Sequence, residues 1–467
     1  MTFLSPTFMF IFLPVALGIF SIFPKHRRTD LLPVMGTVFF VCVNINDPFA
    51  LVYVATVAAA VIGAVALYKK TRKRRYLDMC CAVCFTLAAA ILIMRIGAPL
   101  AMFRCSGIIM CLMAAVSLCL DVARGDGRIP RSLWDGVVYV TFFPVMLAGP
   151  FVCYSDFLSR LDRQKLSVDS FSKGAVLFLK GFIKAVPVGA VLGDAFVSVL
   201  RFGGENIGFF AALLLSAAQS LSLYAFFSGY SDMARGVSLM LGIELERDMG
   251  DPFINPTPAD YLRGFFKGFS VFFKRYVTMP IINLMGENLL SRGISAVLSA
   301  AFLLLLFCQD HESLLVLLPF VAAAEYFVLF VRPPKLRRSF IARAFGSVLT
   351  FLVVMVGWSV VASGGLDDIA AFCRSVLSNQ LFYISHSAAD KLFNLKFIIL
   401  PVLGIAVSLA ASRVLEKWDE KSSERMSATV FKYVTAVLLL LFFALGITLL
   451  LPQFPGLSSD VFGVNFI

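Results

Sequence analysis

Charge is scarce in this chain: 15% of its 467 residues are Asp, Glu, Lys or Arg, while 59% are hydrophobic. A soluble domain carries about a quarter of its residues as charge, so water is not the solvent for most of this surface. Histidine is nearly missing, and any imidazole chemistry rests on His26, His311 or His386. Continuous basic surface is also lacking. The net charge of +12 sits in short loops beside apolar stretches, which excludes nucleic acid as the natural partner and favours anionic membrane lipids. No soluble second catalytic domain stands out, and no inverted repeat is visible.

What the chain has instead is long apolar sequence. Short basic runs such as Lys69–Arg75 separate stretches close to the ~20 residues a helix needs to cross a bilayer, and the mean hydropathy is +0.87. Only helices satisfy their own backbone groups over such lengths. The expected fold class is an all-α polytopic membrane protein with about 11 to 13 spans. The 48 Phe residues suit lipid-facing and interhelical packing. Ten cysteines fall mostly inside apolar stretches, where a thiol acts as a small hydrophobe; Cys80, Cys81 and Cys84 lack a nearby fourth ligand, so no metal is expected.

Organisation follows from the charges. Lys25, Arg27 and Arg28, then Lys69–Arg75, then Arg124, Arg128 and Arg131 follow alternate stretches. The positive-inside bias then places these loops in the cytoplasm and the N-terminus outside. Residues 1–23 lack the basic start and small-residue cleavage site of a signal peptide and read as a retained span. The expected regions are 1–133 (N-terminal membrane helices), 134–375 (core) and 376–467 (C-terminal loop and membrane helices), integrated in one domain.

Three segments carry the chemistry. Phe142–Pro150 holds Pro144, Gly149 and Pro150, so a regular helix through it is not expected: it is either a kinked span or a re-entrant turn that keeps Lys165, Lys173 and Lys180 cytoplasmic. Tyr224–Leu245 contains a polar knot, Ser228 to Asp232, with Arg235 one helical turn beyond. Asp232 and Arg235 share a helix face and can offset each other's desolvation, as a helix lock or as the rim of a polar chamber. Arg263–Tyr276 places Arg263, Lys267, Ser270 and Lys274 within about 60° of one another on a helix, with Phe265, Phe269, Phe272 and Tyr276 opposite. This basic stripe on an aromatic helix either lies on lipid phosphates or lines a funnel that holds the phosphates of a thioester donor. The Pro-rich Pro252–Asp260 feeds it along a constrained path.

His26 reads as a solvated loop residue, and so does His386. His311 differs, because Cys308–Ser313 interrupts two apolar runs with Asp310 and Glu312 beside the imidazole.

These residues together resemble the membrane-bound O-acyltransferase family, in the bacterial branch of alginate O-acetyltransferases and teichoic-acid D-alanyl transfer. The resemblance runs through Phe8–Arg28, Phe142–Phe157, Phe227–Leu245 with its Gly-Tyr-Ser-Asp core, and Asp251–Ile281, over about residues 5–375. It implies a central chamber with broken or re-entrant helices, and a donor entering from the cytoplasmic side. It further implies acyl transfer, most simply of acetyl, from a thioester to a hydroxyl of a cell-envelope polysaccharide or related glycan in the bacterial cytoplasmic membrane. The essential histidine of the family corresponds to His311. Lys267 then aids catalysis or neutralises donor phosphates, and Asp232, Arg235, Arg263, Ser270 and Lys274 line the substrate or donor channel. No tightly bound cofactor is implied, with acyl-CoA or another acyl thioester as donor substrate, and the implied partners are membrane lipids, the glycan acceptor and a separate extracytoplasmic acyltransferase. The sequence departs from the family pattern at Phe266, where a histidine is usual, and at Arg275, where an acid is. A noncatalytic homologue, or a transporter or flippase of a charged lipid or saccharide, is the alternative.

Overall fold

The structure, a computed structural model, describes residues 2–24, 27–45, 50–97, 107–130, 133–147, 149–202, 208–307, 340–362, 395–416 and 426–450, with isolated positions between 370 and 418. Regular structure among the described residues is helical throughout, and the chain is an all-α polytopic membrane protein. Leu51–Thr71, Val168–Phe196, Phe209–Met240 and Phe397–Glu416 are each long and apolar enough to cross a bilayer. Their outward positions keep large apolar side chains exposed, including Val52, Phe210, Val402 and Leu409.

The described residues form two compact units. The first comprises residues up to Ala175 together with Ala234–Arg247. It opens with a π-helical stretch, Thr7–Phe12, leading into α1 (Leu13–Ile22), and continues with α2 (Arg28–Val43), α3 (Ala50–Thr71), α4 (Arg75–Gly97), α5 (Ile108–Arg124), α6 (Leu133–Val140), α7 (Phe143–Met146) and α8 (Tyr154–Leu161). Phe3, Phe8, Phe12, Phe39 and Phe143 form one aromatic cluster, with neighbouring rings 4.8 to 5.9 Å apart. Gly36 is required there, because a Cβ would lie 1.8 Å from the Thr141 carbonyl oxygen.

The proline-rich break falls where expected. Helix α6 stops at Val140, Phe142 is extended at ψ 95°, α7 makes a single turn containing Pro144, and Phe151–Cys153 is non-helical. The chain is then held from α5: Ser117 Oγ accepts from Tyr154 N at 2.9 Å and the buried Asp121 carboxylate accepts from Ser155 N at 3.0 Å. A carboxylate facing the first turn of α8 also suits the positive end of that helix dipole.

The second unit comprises Val176–Met233 and the described residues from Asp248 onward. Its elements include the end of α9 (Val168–Ile183), a π-helical stretch Lys184–Ala190, α10 (Val191–Phe202) and most of α11 (Phe209–Met240). Further along lie α12 (Pro258–Phe265), α13 (Lys267–Phe273), α14 (Met279–Met285), α15 (Leu289–Phe307), α16 (Phe340–Ala362), α17 (Leu395–Glu416) and α18 (Met426–Leu450). Ile183, Val407, Ala411 and Leu439 form a core in which Val176, Leu179, Leu438 and Phe442 also pack.

Helix α11 runs from Phe209 to Met240 without interruption through the polar knot. Tertiary contacts make this tolerable: Ser228, Ser231 and Asp232 are all buried, and the carboxylate receives cations from the neighbouring helix. The two helices approach closely at glycine. A Cβ on Gly229 would stand 2.5 Å from the Gly181 oxygen, and one on Gly181 would stand 2.4 Å from the Gly229 oxygen.

Candidate functional site

The path into the basic helix is built by the prolines and their polar neighbours. Pro252–Ile254 makes a short 3-10 turn, and Asn255 Nδ2 donates to the Asp260 carbonyl at 3.0 Å. Thr257 then caps α12, its Oγ1 accepting from Asp260 N at 3.2 Å, with Pro258 at the first helical position. Gly250 N donates to the Gly264 carbonyl at 2.7 Å, and a Cβ on Gly264 would lie 2.6 Å from Asn255 Nδ2. The helix cannot shift without breaking this packing.

The stripe does not lie on one continuous helix. Phe266, at φ −116° and ψ 58°, interrupts it between α12 and α13, and Lys274–Thr278 is π-helical. Its two faces nonetheless separate. Phe265, Phe269, Phe272 and Tyr276 are all buried, with the Phe265 ring 5.1 Å from Trp358 and the Phe272 ring 4.6 Å from Tyr276. Burial also lifts the Tyr261 phenol above its ordinary value.

On the other face, Arg263, Lys267, Ser270 and Lys274 all line one cavity of about 710 Å³. The opposite wall comes from α15, whose Arg292, Ser295 and Ser299 face inward, and from Glu287 in the preceding turn. Arg292 pairs with Glu287. Four cationic side chains and one carboxylate therefore surround a space large enough for a nucleotide-sized ligand, with Ser270, Thr278, Ser295 and Ser299 as further polar groups. Such an arrangement binds polyanions, phosphates above all.

Arg292 and Glu287 were not among the residues singled out from the sequence. A signal existed: Arg292, Ser295 and Ser299 recur at helical spacing on an otherwise apolar segment. The start of α15 is fixed by Gly286 at φ +77° and by Asn288, whose Oδ1 accepts from Ser291 N at 2.8 Å.

The polar knot forms a second cluster. Asp232 Oδ2 accepts from Lys184 Nζ at 2.7 Å and lies 3.4 Å from Lys180 Nζ, and Lys184 also donates to Ser228 Oγ at 2.9 Å. Lys180 lies inside a span candidate, Val168–Phe196, paired with a buried carboxylate. Arg235, expected to partner Asp232, directs Nε to the Leu245 carbonyl at 3.1 Å. Sequence adjacency suggested that pair; the lysines arrive from the facing helix, where no local pattern announces them. Asp232 is not among the described residues lining the basic cavity. His311, His26 and His386 lie outside the described residues.

No protein-family model matches the chain. Curated proteins do. The chain is similar to the probable alginate O-acetylase AlgI of Pseudomonas fluorescens, at 29% identity over 60% of this chain and 57% of that protein. It is similar to the probable alginate O-acetylase AlgI of Azotobacter vinelandii at 26% identity over 79% of this chain and 76% of that protein. A shorter match, 30% identical over 32% of this chain and 28% of the relative, joins it to the peptidoglycan O-acetyltransferase of Helicobacter pylori. These relatives are members of the membrane-bound O-acyltransferase family, so the resemblance stands on sequence similarity well beyond single motifs. The chain spans little more than half the length of the Pseudomonas fluorescens relative.

Proposed function

We propose that the chain is a membrane-bound O-acyltransferase that moves a short acyl group, acetyl in the simplest case, from a thioester donor to a hydroxyl of a cell-envelope glycan. The observation that carries this reading is the convergence of Arg263, Lys267, Lys274 and Arg292 on one cavity in a chain similar to alginate and peptidoglycan O-acetylases. The donor is acyl-CoA or another acyl thioester, a substrate and not a resident cofactor, and its phosphates occupy the basic wall. The protein works in the bacterial cytoplasmic membrane with its N-terminus extracytoplasmic. Anionic lipids surround it, and a separate extracytoplasmic acyltransferase assists the transfer to the glycan.

In this reaction the neutral imidazole of His311 accepts the acceptor hydroxyl proton while the oxygen attacks the thioester carbonyl carbon. The oxyanion that develops needs a donor, a role open to Lys267, and collapse breaks the carbon–sulfur bond. The thiolate leaves with the proton returned by the imidazolium, so an ester and a free thiol are the products.

The test is thiol release and ester formation by the purified, folded protein with an acyl-CoA and a glycan acceptor. His311→Ala is expected to lower turnover by about 10²- to 10⁴-fold. Lys267→Ala raises the donor KM alone if it holds phosphate, and lowers kcat if it stabilises the oxyanion. Unchanged turnover in His311→Ala removes the imidazole from the mechanism.

A further inference from the structure

The basic cavity carries its own competitor. Glu287 is the one carboxylate among its described lining residues, and it is paired with Arg292 from the same wall. Its place is set by the backbone: Gly286 turns the chain at positive φ, and the Asn288 cap starts α15 directly afterwards. Glu287 consequently leans back across the first turn toward Arg292. The Glu287 side chain is 65% exposed and that of Arg292 28%, so water and salt weaken the pair and an incoming anion can reach both partners. Being tethered, however, the carboxylate stays at a high effective concentration next to Arg292. A single weak anion does not remove it. A ligand with several linked phosphates, already gripped by Arg263, Lys267 and Lys274, attacks the pair from within the cavity and overcomes that advantage.

We propose that Glu287 is a specificity-determining residue: a tethered carboxylate that competes for Arg292 with incoming anions and yields it to ligands bearing linked phosphates. This rests on the reading of the cavity as the donor-phosphate site. It goes beyond that reading by assigning a role to an acidic side chain in a basic site.

The experiment is calorimetric titration of the full chain in phosphatidylcholine nanodiscs with inorganic tripolyphosphate, at low salt. Two variants are compared with the wild type. Glu287→Gln removes the charge, and Glu287→Asp keeps the charge on an arm one methylene shorter. If the carboxylate acts by holding Arg292, both variants tighten tripolyphosphate binding, by up to about fivefold. Wild-type affinity in Glu287→Asp with a gain in Glu287→Gln reduces the effect to net charge and overturns the proposal, as does no change in either. A third arm adds phosphatidylglycerol to the nanodiscs. Loss of tripolyphosphate binding there assigns the cavity to lipid head groups and overturns the proposal as well. Binding by none of the three proteins sinks the phosphate-site reading itself, an outcome distinct from binding that the variants leave unmoved.

Discussion

Asp232→Asn is the most demanding test of how the second unit is held together. The carboxylate is 6% exposed at its side chain and serves Lys184 at 2.7 Å and Lys180 at 3.4 Å. At about 3 Å and an effective dielectric near 20, one such contact carries about 5 kcal/mol of Coulomb energy before desolvation is subtracted. Removing one partner of a buried pair costs about 3–5 kcal/mol, because the remaining charge is left without compensation. Asn keeps the size and takes away the charge, so the loss should fall in that range. Lys184→Met should cost less, since Lys180 remains beside the carboxylate. The measurement is reversible unfolding of the purified protein in mixed micelles, followed by far-UV circular dichroism. Asp232→Asn within about 0.5 kcal/mol of wild type, or Lys184→Met at least as damaging as Asp232→Asn, would refute the argument that this one carboxylate anchors both cations.

Two further outcomes follow from packing. Gly229→Ala must push backbone away, since its Cβ would meet the Gly181 oxygen at 2.5 Å and Ala185 N at 2.8 Å. A loss of about 1–3 kcal/mol is expected in the same unfolding assay, whereas Gly63→Ala, with nothing within 4 Å of the added carbon, should be neutral or slightly stabilising. Phe266→Ala opens the aromatic cluster of Phe227, Phe265 and Trp358. It should cost about 3–5 kcal/mol, and tripolyphosphate titration should weaken with it, because the break at Phe266 sets the angle between Arg263 and Lys267.

The two charged clusters differ in how they could be read from the chain. The basic stripe was legible because Arg263, Lys267, Ser270 and Lys274 repeat at helical spacing, and that spacing survives a break at Phe266 and a π-helical turn. Local periodicity tolerates such changes, since each shifts a residue by only part of a turn. The knot at Ser228–Asp232 was visible as an anomaly, but its partners were not. Lys180 and Lys184 stand 52 and 48 positions before Asp232 in the sequence and meet it only because two glycines let the helices approach.

Composition and period were sufficient to determine that this chain is helical, lives in a membrane, breaks its helix near Pro144 and carries cations on the face opposite a row of aromatics, because hydropathy and side-chain spacing act over neighbouring residues. Only tertiary structure decided that α15 supplies the facing wall with Arg292 and Glu287, and that Asp232 belongs to lysines and holds a helix pair. Those choices depend on which distant segments pack together, and the energy that selects them comes from contacts no single stretch of sequence contains.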